Sequence, residues 1–197
     1  MLAQKLGWHY LDSGALYRLT ALSAMNHNLD TTDEAAMANV AVELNVRFDP
    51  HSTDIFLNDG EVSAQVREEQ TGVMASKISA FPGVREALMQ RQYGFAKAPG
   101  LVTDGRDMGT VVFPEALCKF FLTASAEVRR DRRTAQLDKM GQPYDAEKVL
   151  AEIKARDARD ENRTVSPLKP ADDGVVIDTS SISINEVFEQ MWNTYES

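Results

Sequence analysis

The chain is poor in cysteine and in positive charge, and it has no long apolar run. Its 197 residues include one cysteine, Cys118, so an intramolecular disulfide and a cysteine-cluster metal site are both excluded. No apolar stretch approaches the roughly 18 residues of a membrane span. The opening MLAQKLGWHYLDSG has one Lys and no apolar core, so it does not read as a signal peptide. A reducing, soluble, cytoplasmic setting is expected. The three histidines, His9, His27 and His51, have neither metal-ligand nor triad spacing and read as structural or exposed. G-x-S-x-G, H-E-x-x-H and G-x-G-x-x-G are all missing. So is the phosphate-loop pattern G-x-x-x-x-G-K-[ST]: Gly100 to Gly105 fits its first half, but Arg106-Asp107 follows and the interior is an apolar strand.

Basic residues number 21 against 30 acidic, a formal net charge of −9. A protein that coats nucleic acid usually carries the opposite sign, so broad DNA or RNA binding is disfavoured. The arginines are nonetheless clustered: Arg106 alone, then Arg129-Arg130-Asp131-Arg132-Arg133, then Arg156, Arg159 and Arg163. Local arginines in an acidic chain suggest a small, highly anionic ligand, because guanidinium forks match phosphate oxygens and keep their charge.

With 43% hydrophobic residues and this length, the composition suits one globular domain, or one domain with a small insert. Short apolar strands are expected at 8–11, 101–103, 118–122 and 174–178, each followed by helices. They predict an α/β fold with a parallel sheet covered on both faces. A capping box, Thr31 with Glu34, is expected to open a helix running to about Leu44. Residues 46–66 read instead as a small antiparallel insert, with Asn58-Asp59-Gly60 as its hairpin turn. Helices are expected near 15–26, 67–79, 83–96, 126–140 and 146–162. The last helix spaces Ile184, Val187, Phe188, Met191, Trp192 and Tyr195 as one apolar stripe, expected to pack in the core.

In parallel sheets ligands bind at the carboxyl ends of strands. Two segments lie there: Asp12-Ser13, and Asp104-Gly105-Arg106-Asp107-Met108-Gly109. The second places two carboxylates and a guanidinium on a turn, suited to a metal-bound water, a ligand donor edge or a phosphate; an internal Asp–Arg pairing would also explain it. Arg156, Asp160 and Arg163 share one helix face, which by itself reads as a solvated face. Arg129, Arg132 and Arg133 share another, and such crowding of like charge favours a bound anion, while Arg130 points elsewhere. Asp12-Ser13 also suits a plain helix cap, and Ser76 a helix surface. Arg85 opposes the dipole of its own helix N-terminus.

The stretches LDSGALYR (11–18), ASKISAFPGVREAL (75–88), LVTDGRDMGTVVFPEA (101–116), SAEVRRDRR (125–133) and IKARDARDENRTVSPL (153–168), with the insert, resemble bacterial cytidylate kinase. This is a nucleoside monophosphate kinase family of the phosphate-loop kinase fold. The resemblance covers nearly all of the chain; DGRDMGTVVFP and RDARDENR carry most of it. It implies a single kinase domain over 1–197, with a core at about 1–14, 97–125 and 164–197. A CMP-binding region at about 13–96 and a lid at about 129–163 would complete it.

The implied reaction is transfer of the ATP γ-phosphoryl group to CMP or dCMP, in pyrimidine nucleotide metabolism. Ser76, Arg85 and Asp107 match residues that read the cytosine edge; Ser13, Arg18, Arg106 and Arg163 match positions around the CMP phosphate. Arg156 and Asp160 match ribose contacts, Arg156 also lying near the transferring group. Arg129, Arg132 and Arg133 match lid arginines over ATP, and Asp104 a carboxylate that supports Mg²⁺ through water. Arg106, Arg156, Arg132 and Arg133 would act in catalysis. The implied partners are ATP, CMP and dCMP, with no nucleic acid polymer and no membrane, acting on a cytoplasmic monomer. The family opens with a central strand and a glycine-rich phosphate loop ending in Lys; both are expected to be missing ahead of Met1. On that expectation the 197 residues would transfer negligible phosphate, and the alternative function is a catalytically silent CMP-binding protein.

Overall fold

The structure is a computed structural model that describes residues 1–49, 52, 54–162 and 167–197. It divides into two compact units, Met1–Gly105 and Arg106–Ser197. Among the described residues no helix is long and apolar enough to cross a membrane.

The first unit opens with α1 (Leu2–Leu6), stopped by Gly7 at φ 66°, a left-handed cap that disfavours a side chain. Strand β1 (His9–Asp12) follows and runs parallel to β5 (Leu101–Asp104), His9 facing Leu101 and Asp12 facing Asp104. Just before β5, Gly100 lies under the Trp8 indole, and a Cβ there would collide with the ring. The crossover between the strands is long and mostly helical. It comprises α2 (Ser13–Asn26), α3 (Glu34–Glu43), an antiparallel insert, α4 (Ser63–Arg67), α5 (Glu69–Ile78) and α6 (Pro82–Tyr93).

Helix α2 is buried on most of its circumference, as expected of a helix with neighbours all round. It packs on α3, α4, α5 and α6. Leu11, Leu16, Leu19, Met37, Val66, Ile78, Val84 and Leu88 are sealed from solvent and form the core. The buried polar side chains answer to backbone: Thr20 donates to Leu16 O at 2.9 Å and Thr71 to Gln65 O at 2.8 Å.

The insert is antiparallel, as its sequence predicts: β2 (Val46–Phe48), β3 (Ile55–Leu57) and β4 (Gly60–Glu61) lie in that order. Asn58 and Asp59 both take positive φ, the requirement of a two-residue hairpin whose twist matches its strands. Ser63 starts α4 rather than ending a strand, and its hydroxyl accepts from Ile55 N at 2.9 Å.

The second unit begins at Arg106. A π-helical turn (Met108–Val112) leads to β6 (Phe120–Thr123), α7 (Ala126–Lys139), α8 (Ala146–Asn162), β7 (Val175–Asp178) and α9 (Ile184–Glu196). Strands β6 and β7 pair in parallel, Phe120 facing Val175. Serine caps open α7 and α9: Ser125 accepts from Val128 N, and Ser183 with Glu186 forms a full capping box.

Parallel strands form as predicted, in two pairs, β1 with β5 and β6 with β7. Leu122 and Val176 are about half exposed. Two expectations need correction. The α9 stripe is only partly core; Val187 is buried and Ile184, at the helix start, is exposed. Finally, Asp33 and not Thr31 caps α3, accepting from Ala36 N at 3.0 Å, and Glu34 turns away to bind Gly83 N. Pro50, His51 and Thr53, and Arg163 to Ser166, lie outside the described residues.

Candidate active site

In the first unit the candidate residues follow the end of β1 and the helices after it. Asp12 caps α2 through Ala15 N at 2.9 Å, so the bland reading of that carboxylate holds. Ser13, next to it, is buried. One turn on, Arg18 donates to Val66 O at 2.8 Å and to Glu68 O at 3.3 Å, at the α4–α5 junction. Its guanidinium lies so close to Gly72 that a Cβ there would sit 2.7 Å from it. Helix α5 also carries Ser76, half-buried, with its backbone carbonyl accepting from the Ser79 hydroxyl.

Arg85 occupies the first turn of α6, where a cation opposes the helix dipole. The structure supplies the compensation: Glu34 of α3 accepts from Gly83 N at 2.9 Å and brings a negative charge to that N-terminus.

Asp104 ends β5 and is exposed; its Oδ1 accepts from the Tyr10 hydroxyl at 2.9 Å. The Tyr10 phenol is pushed far above its usual range, first by burial and then by the Asp104 carboxylate. Among the described residues no group of three or more metal-ligating side chains occurs. One exposed carboxylate still fits Mg²⁺ bound to a nucleotide, because that ion keeps most of its waters and takes one or two carboxylates plus phosphate oxygens.

In the second unit Arg106, Arg156 and Asp160 come together. Arg106 Nε donates to Asp160 Oδ2 at 2.8 Å, and Arg156 Nε lies 3.9 Å from the same oxygen. One turn earlier on α8, Asp157 is held below the usual carboxylate range, chiefly by the Arg129 hydrogen bonds, with Arg106 and Arg156 adding to the effect. Asp107 precedes the π-helical turn, and its carbonyl accepts from Val111 N and Val112 N. A π-turn is a frequent mark of a functional segment, and no sequence period announces it.

The arginines of α7 go to different places. Arg129 forks onto Asp157 of α8. Arg132 donates to the Thr179 hydroxyl at 3.0 Å and to the Thr179 carbonyl, just past β7. Arg133 reaches Gln136 in its own helix at 2.8 Å, and Arg130 pairs with its neighbour Asp131. Arg163 lies outside the described residues. Asp157, Thr179 and Tyr10 are not singled out by the sequence, and Glu34 is singled out there only as the partner of Thr31 in a capping box. Each acts across a distance in the chain that no local spacing encodes.

Parallel strands ending in carboxylates, with guanidinium groups arranged on the adjoining helices, define a class: α/β proteins that handle anionic ligands. Comparison with known proteins narrows it. A family model described as "Cytidylate kinase" matches residues 1–197. A "Cytidylate kinase" of Aeromonas hydrophila is 53% identical over 189 residues, 95% of this chain and 82% of that protein. Those of Pseudomonas paraeruginosa and Shewanella denitrificans are 52% and 51% identical, over 96% and 97% of this chain and 84% and 86% of theirs. The chain belongs to the cytidylate kinase family, enzymes that transfer phosphate to nucleotides on a phosphate-loop kinase fold. The relatives give no support to a catalytically silent binding protein.

Proposed function

We propose that this protein transfers the γ-phosphoryl group of ATP to CMP or dCMP, yielding CDP or dCDP and ADP. The observation that carries the reading is the Arg106–Asp160–Arg156 arrangement, in the segments most specific to the family. An acceptor phosphate needs guanidinium donors and a ribose needs a carboxylate acceptor; this group offers both.

In this reading Ser13, Arg18, Arg106 and Arg163 hold the CMP phosphate. Arg156 and Asp160 bind the ribose. Ser76, Arg85 and Asp107 read the cytosine edge, giving an amino-group acceptor and ring contacts. Arg132 and Arg133 neutralise charge on ATP, and Asp104 supports Mg²⁺ through water. An oxygen of the CMP phosphate attacks the γ-phosphorus in line, and the bond to the β-phosphate oxygen breaks as ADP leaves. The acceptor is already largely ionised at neutral pH, so no general base is needed. Mg²⁺ bound with ATP would supply positive charge against that of the phosphates. The protein's contribution is positioning, arginine charge and exclusion of water.

The reading further includes a single kinase domain, a monomer and a cytoplasmic location.

The test is turnover with a panel of nucleoside monophosphates, on the gene product as the cell makes it. CMP and dCMP are expected to be phosphorylated fastest. Faster turnover of UMP or AMP would overturn the substrate assignment.

A further inference from the structure

Family resemblance gives Arg129 to ATP, yet three of its five N–H donors are already committed. Nε donates to Ala124 O at 3.1 Å, Nη1 donates to Asp157 Oδ1 at 2.7 Å, and Nη2 donates to Asp157 Oδ2. This is the parallel two-bond fork that makes Arg–carboxylate pairs directional as well as strong. An ATP phosphate that took the same two-bond fork would have to displace a carboxylate held in that geometry. The three contacts also join three places in the second unit. Ala124 directly precedes Ser125, the cap of α7; Arg129 sits in the first turns of α7; Asp157 lies in the second half of α8.

On α8, Asp157 follows Arg156 directly and precedes Asp160 by three residues, so the fork acts within one turn of both. Rotation of α8 about its axis would carry Asp160 away from Arg106. Arg133 differs: among the described residues it donates to Gln136 of its own helix.

We propose that Arg129 is a positioning residue and not an ATP ligand. With Asp157 it clasps α7 to α8 and sets the rotation of α8 at which Arg156 and Asp160 receive the acceptor nucleotide. This rests on the proposed roles of Arg156 and Asp160 at the ribose.

The experiment compares Arg129→Ala, Asp157→Ala and the double variant. CMP affinity is measured by calorimetry, the KM for ATP by turnover, and unfolding by thermal melting. Each single variant is expected to weaken CMP binding by about five- to fifty-fold, with the double no worse than either single, because both remove one shared interaction. The KM for ATP is expected to stay within about two-fold. Arg129→Lys, a point charge without the fork, should weaken CMP binding as Arg129→Ala does. Asp157→Asn, which keeps one acceptor oxygen, serves as the milder variant and should show a smaller loss of the same kind.

A raised KM for ATP in Arg129→Ala but not in Asp157→Ala would return Arg129 to ATP and overturn the proposal. So would additive losses, or a lowered melting temperature with CMP affinity unchanged. Failure of the underlying reading looks different: Asp160→Ala would then leave CMP affinity unchanged, whatever the Arg129 variants do.

Discussion

Replacing Glu34 by alanine removes the carboxylate that closes the N-terminus of α6. That terminus has no side-chain cap of its own: Phe81 precedes it, Pro82 occupies the first turn, and Gly83 N donates to Glu34 Oε1 at 2.9 Å. A hydrogen bond to a charged group contributes about 1.5–3 kcal/mol. The site is exposed, so the lower end applies, and about 1–2 kcal/mol is the expected loss. For a chain of this length that lowers the melting temperature by about 2–8 °C. Glu34→Gln keeps an acceptor but loses the charge that offsets Arg85, so it should cost about 0.3–1 kcal/mol. The charge part should shrink in high salt, and the hydrogen-bond part should not. Thermal and urea unfolding of both variants, at low and high salt, measures this. A loss under about 0.3 kcal/mol for Glu34→Ala would refute the capping role. Equal losses for the two variants would show that the amide acceptor contributes nothing.

Two further outcomes follow from the same contacts. The Tyr10 phenol, raised in the folded state from its usual value of 10.0, keeps its proton where the unfolded chain loses it. The folded state then binds more protons above that pH, so stability falls as pH rises past it. Alkaline unfolding should therefore be steeper in the native protein than in Tyr10→Phe; identical slopes between pH 9 and pH 11 would contradict the shift. At the proposed acceptor site, Asp107→Ala should reduce discrimination of CMP from UMP more than it reduces affinity for inorganic phosphate. Competition binding measures both, and equal losses would remove Asp107 from base recognition.

Local patterns in the sequence were enough for most elements, because each depends on a few adjacent residues. Gly7 stops α1 through its own φ, and Asn58-Asp59 turn the hairpin through theirs. Ser125 and Ser183 cap the helices that follow them. The Thr31 capping box failed for one local and one distant reason. Asp33 lies nearer the helix start, and Glu34 has a better partner 49 residues away at Gly83. The conflict that Arg85 creates with its helix dipole was legible in the sequence, but its resolution by α3 was not.

Residue types and spacing alone determined that this chain is acidic, clustered in arginine and built of α/β elements, and its motifs pointed to the family. The partners of Arg106 and Arg129 were decided only by tertiary structure. Arg106 meets Asp160 across 54 residues, and Arg129 meets Asp157 across 28. A guanidinium bonds to whichever acceptor the fold brings within about 3 Å, and helical periodicity describes neighbours on one helix but not which helix lies opposite. Hence Arg129 and Arg133, four residues apart on one helix face, read alike in sequence; the first bonds to a carboxylate of a second helix, and the second, among the described residues, to a side chain of its own.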